Sequence, residues 1–133
     1  MSRSLIQVAN QSTQAVAADS IIALGSTQRR FGCNLRLSGN GIEVNGGGYY
    51  TVDADVAVAP TAVGAVTVAL YNNGVQVPSA IAYGSVSTAG DPTTLSINAT
   101  LRQNCCDSAD NLTLVLIEGA GNVQNVSMRV VKA

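Results

Sequence analysis

The stretch at residues 45–58, NGGGYYTVDADVAV, constrains this chain more than any other. Along an extended backbone, successive side chains point to opposite sides. Tyr50, Val52, Ala54, Val56 and Val58 then share one side, and Tyr49, Thr51, Asp53 and Asp55 share the other. The first set is apolar and the second mostly polar. A helix would scatter both around its circumference. The pattern therefore predicts a long strand buried on one side, approached through a glycine turn and ended by Pro60.

The same period recurs along most of the chain. Leu35 and Leu37 alternate with Asn34 and Arg36, SGNG turns, and Ile42 and Val44 resume, which predicts two short paired strands. Val66, Val68 and Leu70 lead into NNG, whose residues tolerate positive φ, and VQVP returns as the partner of a hairpin. Leu95, Ile97, Ala99 and Leu101 alternate with polar residues, as do Val126, Met128 and Val130. LTLVLIEG is apolar on both faces and predicts a strand covered on both sides. SLIQVAN fits a first strand. QAVAADSIIALG is a second candidate and the one segment where alanines keep a helix open. About eight to ten strands without βαβ alternation predict an all-β, two-sheet antiparallel sandwich or barrel in one domain.

Composition narrows the function. Charged residues are 11% of the 133, with a formal net charge of −1, so no basic footprint for nucleic acid is present. A near-neutral surface offers little repulsion between copies, which suits a subunit that associates. No stretch approaches the roughly 20 apolar residues that cross a bilayer. The start, MSRSLIQVANQSTQAV, lacks the apolar core of a secretory signal, so synthesis in the cytosol is expected. There is no histidine, hence no base for a cysteine nucleophile and no ordinary zinc set. A non-enzymatic protein without cofactor or metal is expected.

The remaining motifs are read against their structural alternatives. Cys33, Cys105 and Cys106 leave three arrangements open. Cys33 is a buried small hydrophobe with NCCD in a loop, or it bridges Cys105 or Cys106, or a bridge joins subunits. Asp53 and Asp55 share one strand face, either as a solvated, hydrogen-bonded pair or as a cation or acid–base pair. GGG and GAGN lack the strand-to-helix setting and the lysine of a phosphate loop. Asn10, Asn98, Asn111 and Asn125 begin N-x-[ST] triplets, which carry little weight without a signal peptide. The adjacent Arg29 and Arg30 are a solvated turn or a subunit salt bridge.

GNGIEVNGGGYYTVDADVAV resembles the signature of tumour necrosis factor and complement-head jelly rolls: a glycine-marked turn, then G-x-Y leading into a central strand, here Gly48, Tyr49 and Tyr50. VTVALYNNGVQVPSA and NLTLVLIEGAGNVQNVSMRVVKA resemble the next hairpin and the last two strands of that superfamily. The nearest flavour is the C-terminal domain of Bacillus spore-surface collagen-like glycoproteins and related Firmicutes phage proteins, over roughly residues 35–133. The resemblance implies a jelly-roll domain at 26–133, with residues 1–25 either a docking arm or the first strands. It implies a homotrimer whose contact is aliphatic, with Tyr49, Tyr50, Leu112, Leu114, Leu116, Val126, Met128 and Val130 as structural or trimer-contact candidates, one tyrosine facing the core or the subunit boundary and the other facing out. It implies a structural protein displayed on a large particle and partnered by a capsid or tail protein. The first particle is a phage virion, as head fibre, decoration or tail-associated protein, and the second a spore surface. A carbohydrate-binding adhesin head that meets a host glycan is the alternative on the same fold.

Overall fold

The backbone around residues 45–50 sets the first sheet. Gly46 and Gly48 have φ of 110° and 142°, and a Cβ on Gly46 would lie 2.3 Å from the Asn34 amide nitrogen. Only glycine suits such a turn. Beyond it the chain extends as one strand, Gly48–Pro60, whose buried and open positions alternate. Val52, Val56 and Val58 are fully buried, whereas Thr51 and Asp55 are open to solvent. This strand is β7 in the chain order given next.

The computed structural model describes residues 4–103 and 110–132. Its strands are β1 (Leu5–Asn10), β2 (Gln14–Val16), β3 (Ser20–Ile21), β4 (Ser26–Phe31), β5 (Leu35–Ser38), β6 (Gly41–Val44), β7 (Gly48–Pro60), β8 (Gly64–Asn72), β9 (Val75–Val86), β10 (Thr93–Gln103), β11 (Asp110–Glu118) and β12 (Gly121–Lys132). One sheet runs β10-β7-β12-β1-β4, with β2 against β12. The other runs β5-β6-β11-β8-β9, with β3 against β11. All pairings are antiparallel, and no helix occurs among the described residues. This is the expected two-sheet jelly-roll sandwich.

The two sheets face each other across an aliphatic core. β7 contributes Val52, Ala54, Val56 and Val58; β12 contributes Val126, Met128 and Val130; β11 contributes Leu112, Leu114 and Leu116. Both expected hairpins form. Asn73 and Gly74, with φ of 52° and 83°, join β8 to β9, and Asn72 pairs with Val75 across them. Ser38 pairs with Gly41 across the β5–β6 turn. On the doubly apolar β11 the outward-facing Val115 is also buried, with Ile21 of β3 and Ala69 of β8 beside it in register.

Two segments differ from the sequence reading. QAVAADSIIALG makes neither a helix nor one strand. Asp19 takes a left-handed φ of 63°, and the chain crosses there from β2 in one sheet to β3 in the other. The Gln14 amide bonds both the N–H and the C=O of Ala23, which fixes the crossing and leaves Ile22 and Leu24 in the core. Arg29 and Arg30 lie on β4, an edge strand exposed along its whole length, rather than in a turn. Residues 5–10, for which a docking arm stood as one alternative, pair with both β12 and β4.

Leu114 is fully buried between the sheets. Leu114→Ala should cost about 2–5 kcal/mol of unfolding free energy in urea titrations. Ser96→Ala, on the open face, should stay within about 0.5 kcal/mol.

Candidate interaction surfaces

The two tyrosines of the opening stretch part company. Tyr50 points into the core with no exposed surface, and its hydroxyl donates to the Gly46 carbonyl at 2.7 Å. The strand thereby ties down the turn that introduces it. Asn34 holds the same turn from the other side: its amide nitrogen donates to the Asn45 carbonyl at 2.6 Å, and its oxygen accepts from the buried Ser4 hydroxyl at 2.8 Å. Burial raises the Tyr50 phenol above its ordinary value of 10.0, and negative charge on nearby Cys33 adds to the rise. Tyr49 faces outward, 55% exposed, with the Arg102 guanidinium 5.9 Å from its ring centre.

The structural or subunit-contact candidates divide between core and surface. Tyr50, Leu112, Leu114, Leu116, Val126, Met128 and Val130 are all fully enclosed by their own chain. Alternation marks which side chains point inward, and here inward means the space between the chain's own two sheets. Of that set, only Tyr49 reaches the surface. Cys33 is likewise exposed rather than a buried hydrophobe, because it follows Gly32 (φ 82°) outside any strand. Cys105 and Cys106 lie outside the described residues, and with them the pairing alternatives.

The open face of the first sheet is built in rows set by strand register. One row reads Asn98, Asp53, Arg129, Gln7 and Arg29. Arg129 donates to Asp53 at 2.9 Å, and the Asn98 amide, turned nitrogen-first, donates to its other oxygen. In the neighbouring row, Ser96 donates to Asp55. Both aspartates are therefore supplied with donors, as a hydrogen-bonded strand face would be. No group of three metal-ligating side chains occurs among the described residues. One row further, Thr100, Thr51, Val131, Leu5 and Phe31 change from polar to apolar across the sheet and end on Phe31, 54% exposed.

The outer side of the second sheet carries an uncharged row, Ile21, Val115, Ala69 and Ile81, in which Val115 and Ala69 are buried and Ile21 is exposed, beside the exposed Tyr83. The exposed aromatics Phe31, Tyr49 and Tyr83 stand on three different strands, and Tyr83 is on the opposite sheet from the other two. They do not form one stacking platform. A groove of about 530 Å³ between β1 and β4 is lined by Asn10, Gln11, Ser12, Ser26 and Gln28, groups that hydrogen-bond but do not titrate. The missed surface strand β4 left no trace in the sequence, since none of its positions is buried.

No family model matches the chain, and no curated protein sequence matches it. Solved structures do. The tumour necrosis factor Eiger from S. frugiperda superposes with a TM-score of 0.72 at 12% identity, covering 98% of this chain and 91% of its own. The globular domain of zebrafish complement 1qA gives 0.70 at 9% identity, covering 96% and 94%. The PRD1 vertex protein gives 0.66 at 13% identity, covering 97% and 96%. The fold is thus a jelly roll of the tumour necrosis factor and complement-head type over nearly the whole chain.

The raised Tyr50 phenol fixes the sign of an alkaline effect. The unfolded chain gives up this proton first, so the contribution is complete below about pH 10 and drains away as pH rises towards the folded-state value. Urea midpoints should therefore fall above pH 10 in the wild type, and less steeply in Tyr50→Phe. At neutral pH that variant should lose about 1 kcal/mol with the bond to Gly46.

Proposed function

We propose that this protein is a non-enzymatic structural subunit that forms a homotrimer displayed on a large particle, with a capsid or tail protein as its anchor. The observation that carries the reading is the likeness, over nearly the whole chain, to small jelly-roll heads that include a vertex protein. The surface supports it. It is close to neutral, Asp53 and Asp55 are engaged by neighbouring donors, and Ile21, Phe31 and Tyr83 stand exposed on the sheets. A phage virion is the first particle, as head fibre, decoration or tail-associated protein, and a spore surface the second. Synthesis in the cytosol, followed by incorporation during particle assembly, completes the proposal.

Gel filtration with light scattering should give three times the 13.5 kDa chain mass at micromolar concentration. A stable monomer there would falsify the trimer. Mass spectrometry of purified virions and spores should find the chain in one of them. Its absence from both removes the display role and leaves the fold untouched.

A further inference from the structure

Asparagine followed by glycine occurs at Asn40–Gly41, Asn45–Gly46 and Asn73–Gly74. Glycine has no Cβ to shield its nitrogen, so at such a linkage that nitrogen can reach the asparagine side-chain amide. The fold treats these linkages differently. Asn73 is clamped: its Nδ2 donates to Asp110 at 3.0 Å, and its Oδ1 accepts the Asn111 N–H at 2.8 Å. Gly41 is buried and paired with Ser38 across the β5–β6 turn, which keeps water and base from its nitrogen. Asn45 is exposed. Among the described residues its side-chain amide has no hydrogen-bond partner, and the Gly46 N–H has no acceptor.

The same linkage is also activated. Asn34 Nδ2 donates to the Asn45 carbonyl at 2.6 Å. That carbonyl shares its peptide group with the Gly46 nitrogen and takes up negative charge when the nitrogen loses its proton. A donor aimed at it favours the charged form. The Ser4 hydroxyl, donating to the Asn34 oxygen at 2.8 Å, holds the donor in place. Asn34 and Asn45 line one hollow of about 360 Å³ with Arg30, Cys33, Arg36 and Glu43. Arg36 is paired with Glu43, whereas Arg30 has no carboxylate partner among the described residues.

We propose that Asn45–Gly46 is a self-modifying linkage, in which the Gly46 nitrogen attacks Asn45 Cγ and Asn34 promotes the attack through the Asn45 carbonyl. The nitrogen loses its proton to solvent and bonds to Cγ. Ammonia leaves with a proton from solvent, and a cyclic imide remains. Water opens the imide at Cγ to give aspartate, or at the main-chain carbonyl to give isoaspartate. One water enters, one ammonia leaves, and nothing is oxidised or reduced. Either product sets a carboxylate in the hollow that Arg30 lines. The isoaspartyl form also adds a methylene to the backbone of the turn that leads into β7, beside the Gly46 carbonyl that Tyr50 holds.

The test is to age the full chain at neutral pH and physiological temperature. It is then digested under mildly acidic conditions, where the reaction stalls, and the mass gain from amide to carboxyl is placed by fragment ions. Asn45 should convert about tenfold faster than Asn73, whose clamp must break first, with Asn40 behind it as well. In urea the rates at the three linkages should draw together. Asn45→Gln should remove most of the mass gain of the folded chain over the same period. Asn34→Asp still accepts from Ser4 but cannot donate, and should slow conversion at Asn45 about tenfold with the β-rich circular dichroism intact. Folded protein in which Asn40 or Asn73 converts as fast as Asn45, or a folded Asn45→Gln that gains mass like the wild type, overturns the site. Conversion at Asn45 that is undiminished in folded Asn34→Asp overturns the part given to Asn34.

Discussion

The fold depends on β7 being held along its length between β10 and β12. Its residues from Gly48 to Val58 pair with β10, and those from Tyr50 to Pro60 pair with β12. Such a strand has no free edge, so its backbone polar groups are satisfied by its neighbours and its side chains are left to divide inside from outside. From Tyr50 to Val56 the division is regular: Tyr50, Val52, Ala54 and Val56 on the buried side, Thr51, Asp53 and Asp55 on the other. A slip of one residue would move Asp53 and Asp55 into the core, where unpaired carboxylates cost several kcal/mol. The bond from Tyr50 to Gly46 and the glycine turn behind it fix where the alternation starts.

Everything that meets solvent or a partner is then decided by the far side of the same strands. On the first sheet the rows pass from a hydrogen-bonded polar band to an apolar one that ends at an exposed phenylalanine. On the second, an uncharged row runs from Ile21 to Ile81. Enzymes of comparable size build converging titratable groups into a cleft. Here amides line the groove beside β1 and β4, aliphatics the hollow between β9 and β10, and charged side chains two further hollows, in which Arg36 is paired with Glu43 and Arg129 with Asp53.

The sequence was legible wherever one side of a strand is buried. β7, β8, β10 and β12 and both hairpins follow from alternation and from the turn residues NNG and SGNG. β4 was illegible because an edge strand exposed at every position has no pattern to show; its conformation comes from pairing with β1. The split between β2 and β3 was hidden for another reason. It hangs on one left-handed aspartate, Asp19, among alanines that favour helix, and on a long-range clasp by Gln14. At Leu112, Leu114, Leu116, Val126, Met128 and Val130 the alternation leaves a core role and a subunit contact open, and the structure puts all six in the chain's own core. Periodicity reports that a side chain points inward, but not whether its own second sheet or another subunit lies there. A lone exposed phenylalanine, by contrast, carries no period at all and emerges only once its strand is placed on an edge.

The central claim is that β7 and β12 form the innermost, last-opening part of a two-layer aliphatic sandwich. Native-state hydrogen exchange measures this directly. Amides of β7 and β12 should exchange only through global unfolding, with free energies equal to that from urea titration, while β4 and the β8–β9 turn exchange far sooner. Exchange of β7 amides as fast as those of β4, or a slowest-exchanging set that excludes both β7 and β12, would contradict the account.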